Sequence, residues 1–240
     1  MMNVGVRKME ISKRLKFIAD HIDKVISLSD VGTDHGYIPL YALRKGLCEK
    51  AIASDINKDP LDKARLNALL EGMGDELEFR LGSGLEPIKE GEVQAVIIAG
   101  MGANLIKDIL EKDIEKVDNL DYLILQPAQN PKFLREYLYT SGYEIIAEDL
   151  CKDGGKYYEL FKVRRKAGEN TKLDNIYYEV SPKLLMSKHP LMKEYLESKL
   201  DIYNKILADL NEDADSESAN IKKTEIEEKV LVISNMINFL

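Results

Sequence analysis

Residues 30–39 read Asp30-Val31-Gly32-Thr33-Asp34-His35-Gly36-Tyr37-Ile38-Pro39, and the fold turns on this stretch. An apolar run, Val25–Val31, leads into it, and Pro39 suits the first turn of a helix leading out. A strand therefore becomes a helix through a corner with a glycine at each end. Such glycines let a ligand come close to backbone that carries no Cβ. A dinucleotide-binding corner would read Gly-x-Gly-x-x-Gly, but here the acid Asp34 stands between Gly32 and Gly36. Carboxylates at Asp30 and Asp34 would repel a pyrophosphate. They suit a cationic head, such as the α-amino group of a methionine-type moiety beside a sulfonium.

Beyond the corner, short apolar runs recur at Lys50–Ile56, Leu77–Leu81, Ala95–Ala99 and Tyr122–Leu125. Helical stretches at Pro39–Lys45, Pro60–Glu71, Asn104–Glu111 and Pro131–Tyr139 separate them. Strands apolar on both faces and joined by helices predict parallel pairing in βαβ units. Tyr143–Leu150 and Lys156–Val163, joined by Lys152-Asp153-Gly154-Gly155, predict an antiparallel hairpin. The expected fold is α/β: a five-strand, doubly wound, mostly parallel sheet closed by that hairpin. Upstream, Ile11, Leu15, Ile18, Ile22 and Val25 form one helical stripe.

Each predicted parallel strand ends in residues fit for a ligand, at the edge where such sheets bind. Asp55 lies nineteen residues after Gly36, placed to accept from both hydroxyls of a ribose. Gly82-Ser83-Gly84 would lie by an adenine edge, and Ala99-Gly100-Met101-Gly102 would form a floor lined by backbone. Gln126 and Asn130 close the fifth strand, where they could hold an exocyclic amine or cap the next helix. His35 is either a ligand contact or a hydrogen-bonded core histidine; His21 and His189 read as incidental.

From residue 168 the strand rhythm stops. Gly168–Asn175 reads as a linker, and Met192, Leu196, Leu200, Tyr203, Ile206, Leu207 and Leu210 mark a helix. Ile226, Val230, Ile233, Ile237 and Leu240 mark a heptad-like second one behind a Thr224–Glu227 capping box. The expected division is 1–167 for the sheet domain and 168–240 for a helical, coiled-coil hairpin, with an exposed loop at Asn211–Asn220.

The 240 residues are 45% hydrophobic and 32% charged, which excludes bulk disorder. No apolar run reaches membrane-spanning length, and the first residues lack a signal-peptide core. Cys48 and Cys151 are too few for a zinc cage or a disulfide framework, so no metal is expected and a reduced, cytoplasmic setting is. Net charge is −8. That is a poor start for a nucleic-acid binder, yet cations cluster at Arg7, Lys8, Lys13, Arg14 and Lys16 and again at Lys162–Lys166.

Ser12-Lys13-Arg14-Leu15, the Gly-Thr-Asp-His-Gly corner, Ala53-Ser54-Asp55, Gly82–Leu85, Ile98–Gly102 and Leu123–Pro127 together resemble the bacterial TrmK family. The resemblance runs on through Gly142-Tyr143-Glu144-Ile145 and Gly155–Leu160 and covers roughly residues 10–165. It implies a class I methyltransferase, Rossmann-like fold with a helical tail. It also implies S-adenosyl-L-methionine as cofactor and methylation of tRNA at N1 of adenine 22. The candidate cofactor-binding set is then Asp30, Gly32, Thr33, Asp34, His35, Gly36, Tyr37, Asp55, Ile56, Ser83, Gly84, Gly100 and Met101, with Asp34, His35 and Gln126 as candidate catalytic residues. Ser83 and Ala103 depart from the family's usual acid or amide and its usual glycine. The expected partner is tRNA, gripped by a monomer between its basic N-terminal helix and Lys183, Lys188, Lys193, Lys199 and Lys205; no membrane is involved. Removing residues 170–240 should then spare cofactor binding. A small-molecule or other RNA methyltransferase and a non-catalytic RNA- or protein-binding module stay open, whereas Asp34 argues against a nicotinamide oxidoreductase.

Overall fold

A computed structural model describes residues 11–168, 170–212 and 217–240. In chain order the elements begin with α1 (Lys13–Ala19), β1 (Ser27–Val31), α2 (Tyr37–Arg44), β2 (Lys50–Asp55), α3 (Lys58–Glu71) and β3 (Leu77–Leu81). Then come β4 (Ala95–Gly102), α4 (Ala103–Lys112), α5 (Ile114–Asp118), β5 (Tyr122–Gln129) and α6 (Pro131–Thr140). The hairpin β6 (Tyr143–Asp153) and β7 (Lys156–Arg165) follows, then α7 (Asn175–Glu179), α8 (Pro182–Met186), α9 (Met192–Glu212) and α10 (Glu217–Phe239).

The sheet runs β3-β2-β1-β4-β5-β7-β6, parallel from β3 to β5, with β7 antiparallel to both β5 and β6. That order is the class I methyltransferase fold. Alternation along each strand feeds two cores. Val96, Ile98, Leu123, Leu125, Phe161 and Val163 face α4 and α6; Ala95, Ile97, Tyr122, Ile124 and Leu160 face α1 and α2. Each fully buried Leu or Ile is worth about 1.5–3 kcal/mol, so β4 and β5 anchor the sheet from both sides. The strand order reverses between β1 and β4, and Asp30 sits there, opposite Ala53 on one side and Ile97 on the other.

A third core holds Leu150 of β6 together with Val180, Leu184, Leu185, Met192, Leu196, Ile233 and Met236, with Tyr157 of β7 packed against it. The start of α9 meets the end of α10, where Lys188 Nζ donates to the Phe239 carbonyl at 3.0 Å. The two long helices are therefore an antiparallel pair docked on the β6–β7 hairpin.

Several expectations need correction. The helix expected over Ile11–Val25 ends at Ala19, because Val25 N is already donating to Leu47 O on the way into the sheet. Thr224 is not an N-cap. Its Oγ1 donates back to Asn220 O at 3.1 Å inside a helix that began at Glu217. The loop expected at Asn211–Asn220 is reduced at both ends by α9 and α10, and 213–216 lie outside the described residues. Lys183 and Lys188, expected along the first helix of the hairpin with Lys193, Lys199 and Lys205, lie instead in the short α8 and in the turn before α9, and α7 precedes them at Asn175–Glu179. No helix among the described residues is long and apolar enough to cross a membrane.

Candidate active site

The β1 corner is built on hydrogen bonds to its neighbour. Gly32 N and Thr33 N both donate to Ser54 O, at 2.8 and 2.9 Å, which turns the chain sharply after Val31. Gly32 takes φ +74°, which favours glycine, and a Cβ there would have to displace the flexible end of Met101. Met101 thus walls the corner from the β4 side. Asp30 is 4% exposed, and Thr33, also buried, donates to its Oδ2 at 2.6 Å. Burial, reinforced by the nearby carboxylates Asp34 and Asp55, pushes the Asp30 pKa up to about 6 against the pull of Thr33 and Arg14. Asp30 and Asp34 follow β1 and Asp55 ends the neighbouring parallel strand β2, where Val31 lies opposite Ser54, so the three carboxylates stand at one edge of the sheet.

Asp34 is 83% exposed at its side chain, and His35 Nε2 lies 3.2 Å from its Oδ1. His35 itself adopts φ +60°, its ring stacks on Tyr37 at 5.4 Å, and its carbonyl accepts from Asn67. It is only partly covered, so it is not a core histidine. Gly36 then leads into α2. At the end of β2, one oxygen of Asp55 accepts from Asn57 N at 2.7 Å. Ile56 next to it is 66% exposed, a bulky apolar side chain on the same rim. Ser83 is exposed after β3, and Gly84 packs on Ile109. At the end of β4 the pairing with β5 slips between Ala99 and Met101. Gly100, at φ +78°, makes that bulge and leaves an open floor.

The residue that sequence reasoning misplaces is Arg14. Charge counting puts it among the surface cations, yet its guanidinium reaches over the floor, near the face of Gly100. Nη1 donates to Gln126 Oε1, and Cζ lies 5.6 Å from the Tyr158 ring centroid. Arg14 N is itself held by Asp153 Oδ2 at 3.0 Å, so the hairpin tip fixes the start of α1. Gln126 is fully buried, and its Nε2 donates to Pro127 O. Both ends of that amide are engaged within the protein, so Gln126 holds Arg14 rather than reaching outward. Asn130 caps α6. The only early signal for Arg14 is its place in Ser12-Lys13-Arg14-Leu15, 112 residues from Gln126.

The other expected cations fare unevenly. Arg7 and Lys8 lie outside the described residues. Lys162 is buried against Asp23, Arg164 pairs with Glu144 and Arg165 with Asp118, so this basic stretch is neutralised within the protein. Lys199 turns inward to Glu179, and Lys188 is occupied at the end of α10. Lys13, Lys183, Lys193 and Lys205 are exposed. Burial raises the Cys48 and Cys151 thiols to about 12 and about 11, which leaves them inert. Among the described residues no His, Cys, Asp and Glu group is arranged to hold a metal ion.

The donor set decides what the cleft can hold. Three carboxylates and one guanidinium at a backbone-lined floor fit a ligand with a cationic head and a diol, and disfavour a pyrophosphate. Comparison with known proteins agrees. Residues 28–235 match the TrmK family, tRNA (adenine(22)-N(1))-methyltransferase. The tRNA (adenine(22)-N(1))-methyltransferase of Bacillus subtilis is 31% identical over 237 residues, spanning 97% of this chain and 99% of that one. A Streptococcus pneumoniae protein solved in complex with S-adenosyl-L-methionine superimposes with a TM-score of 0.82 at 28% identity, covering 95% of this chain and all of the other. M. capricolum TrmK, solved with S-adenosyl-homocysteine, gives 0.79 at 29% identity, over 96% of this chain and 99% of the other. Matched by that family along most of its length, and nearly a third identical to a curated member from end to end, the chain belongs to the TrmK family of tRNA (adenine(22)-N(1))-methyltransferases.

Proposed function

We propose that methylation of tRNA at N1 of adenine 22 rests on a division of labour between the carboxylates of the β1 and β2 ends and Arg14 at the β4 floor. The observation that carries it is Asp30: a buried carboxyl, held by Thr33, at the one place where the strand order reverses. S-adenosyl-L-methionine supplies, when bound, an electrophilic methyl group on a sulfonium. Asp30 and Asp34 receive the cationic amino-acid end, and a cation beside Asp30 returns its carboxyl to the ionised form. Asp55 accepts from the ribose hydroxyls, while Ile56, Ser83, Gly84 and Met101 shape the adenosine side. Gly32, Thr33, His35, Gly36 and Tyr37 hold the corner open.

Adenine N1 has an available lone pair at neutral pH, so the attack needs no general base. The chain's contribution is alignment and electrostatics. N1 lies on the pairing edge, so the nucleotide must be unpaired or turned out to reach the floor at Gly100. Arg14, held by Gln126 and Tyr158, fixes the incoming nucleotide. Asp34 and Asp30 offset the positive charge that the methylated base acquires. The tRNA lies across Lys13, Lys156 and Lys193 around the β6–β7 tip, with Lys205 further along α9. The chain works as a cytoplasmic monomer, with a methyltransferase domain at 1–167 and a helical hairpin domain at 168–240. Thermal shift tests the cleft: S-adenosylhomocysteine should stabilise the protein and NADH should not, and the opposite pattern would refute the assignment.

A further inference from the structure

Two histidines that the sequence left without a role share one carboxylate on the far side of α1 from the cleft. Asp149 of β6 places Oδ2 3.0 Å from His21 Nε2 and Oδ1 2.9 Å from His189 Nε2. His21 lies in the turn that ends α1, and His189 in the turn between α8 and α9. The two rings differ chemically. His21 Nδ1 faces the Phe17 carbonyl at 2.8 Å, so both of its nitrogens face acceptors, and only an imidazolium satisfies both. His189 Nδ1 instead accepts from Leu191 N at 3.2 Å, so that ring is satisfied as the neutral Nε2–H tautomer. One cation and one neutral donor therefore share the carboxylate.

The groups facing His21 come from every side. They are Asp149 from β6, His189 from the α8–α9 turn, the Phe17 ring edge-on at 5.2 Å, and Lys162 from β7. Lys162 Nζ donates to His21 O at 3.0 Å and is itself paired with Asp23. Burial and Lys162 disfavour the charged ring, but Asp149 and the Phe17 carbonyl outweigh them, so its pKa lies above 6.5. Asp149 is lowered in turn: burial pushes it up, and the bonds from His21 and Leu150 N prevail.

The seven residues of α1 are too few to hold a helix without tertiary ties. We propose that Asp149 and His21 are positioning residues for methyl transfer: they fix the far end of α1 so that Arg14, about two helical turns upstream, stays over the cleft floor. This rests on the reading of the cleft given above.

The test uses the full chain with Asp149→Asn, His21→Gln and Arg14→Ala. In the wild type, NMR titration of the His21 ring should give a raised pKa that falls in Asp149→Asn. Asp149→Asn should lower kcat/KM for tRNA roughly three- to tenfold, the loss of one charge-assisted bond in place of a neutral one. S-adenosylhomocysteine affinity should be unchanged. The wild-type to His21→Gln activity ratio should fall toward one as pH rises through the measured His21 pKa. In an Arg14→Ala background, Asp149→Asn should cost nothing further. Wild-type activity in Asp149→Asn, a ratio independent of pH, or additive losses with Arg14→Ala would each overturn the proposal. If Asp149→Asn does not fold, the His21→Gln ratio decides. A wild type that fails to bind S-adenosylhomocysteine refutes the methyltransferase reading instead, and the two failures are read separately.

Discussion

Replacing the Asp30 carboxyl by an amide should stabilise the free protein while damaging the cofactor site. The carboxyl has its pKa raised from 3.8 to about 6, and it is fully buried. Below pH 3.8 the folded and unfolded chains both carry the proton. Between 3.8 and about 6 the folded chain keeps a proton that the unfolded chain has lost, so stability falls as pH rises. At 1.36 kcal/mol per pKa unit the full loss is about 3 kcal/mol, complete above pH ~6. The amide of the Asp30→Asn variant has nothing to ionise and can still accept from Thr33. Asp30→Asn should therefore match the wild type near pH 4 and exceed it by about 3 kcal/mol near pH 7.5, or about 6–12 °C in Tm for a chain of this size. Urea unfolding across that range measures the difference, and calorimetry with S-adenosylhomocysteine should show weaker binding. A variant no more stable at pH 7.5, or one that binds as well as the wild type, would refute the electrostatic account of the corner.

Asp55→Ala should weaken S-adenosylhomocysteine by about 1.5–3 kcal/mol for each charge-assisted hydrogen bond lost to the ribose hydroxyls, read by calorimetry; unchanged affinity would remove Asp55 from the site. Arg135 is fully buried between Glu148 and Glu159 and donates to Tyr178 O. Arg135→Ala strands two buried carboxylates and should cost about 3–5 kcal/mol in chemical denaturation; a loss under about 1 kcal/mol would mean the network is solvated. Gly100→Val forces a β-branched residue to φ +78° on the floor beside Arg14, so methylation should fail while the fold survives, as near-UV and far-UV spectra would report. Reversing charge at Lys13, Lys156 and Lys193 should weaken tRNA binding and flatten its salt dependence by about 0.7–0.9 per lost phosphate contact. An unchanged slope would place the tRNA elsewhere.

The sheet was legible because its signals are local. Val25–Val31, Lys50–Ile56 and Ala95–Ala99 are short runs rich in apolar residues that become buried on both faces, and each runs into residues that only a strand end would need. The Asp30–Gly36 corner and Asp55 were legible for the same reason, through their spacing. Arg14 was not, because its role depends on α1 crossing both the β6–β7 tip, where Asp153 holds its backbone N–H, and the end of β5, where Gln126 accepts from its guanidinium. Counting charge along the chain places it on the surface. The same limit hid the Lys162–Lys166 pairings, whose acids come from Asp23, Asp118 and Glu144, and the Asp149 histidine pair. Truncation after residue 169 also changes meaning. Tyr195 of α9 donates to buried Glu159, and Tyr178 O accepts from Arg135, so removing the tail would take one hydrogen-bond partner from each member of the Arg135–Glu159 pair and strip the core around Leu150. Point changes at exposed lysines are the cleaner probe of tRNA binding.

The decisive measurement is incubation of the intact protein with unmodified tRNA and labelled S-adenosyl-L-methionine, followed by nucleoside analysis and mapping of the modified position. Label should appear in N1-methyladenosine at position 22 and should vanish when adenine 22 is replaced by guanine. Label in another nucleoside, at another position, or retained after that replacement would contradict adenine-22 methylation at this cleft.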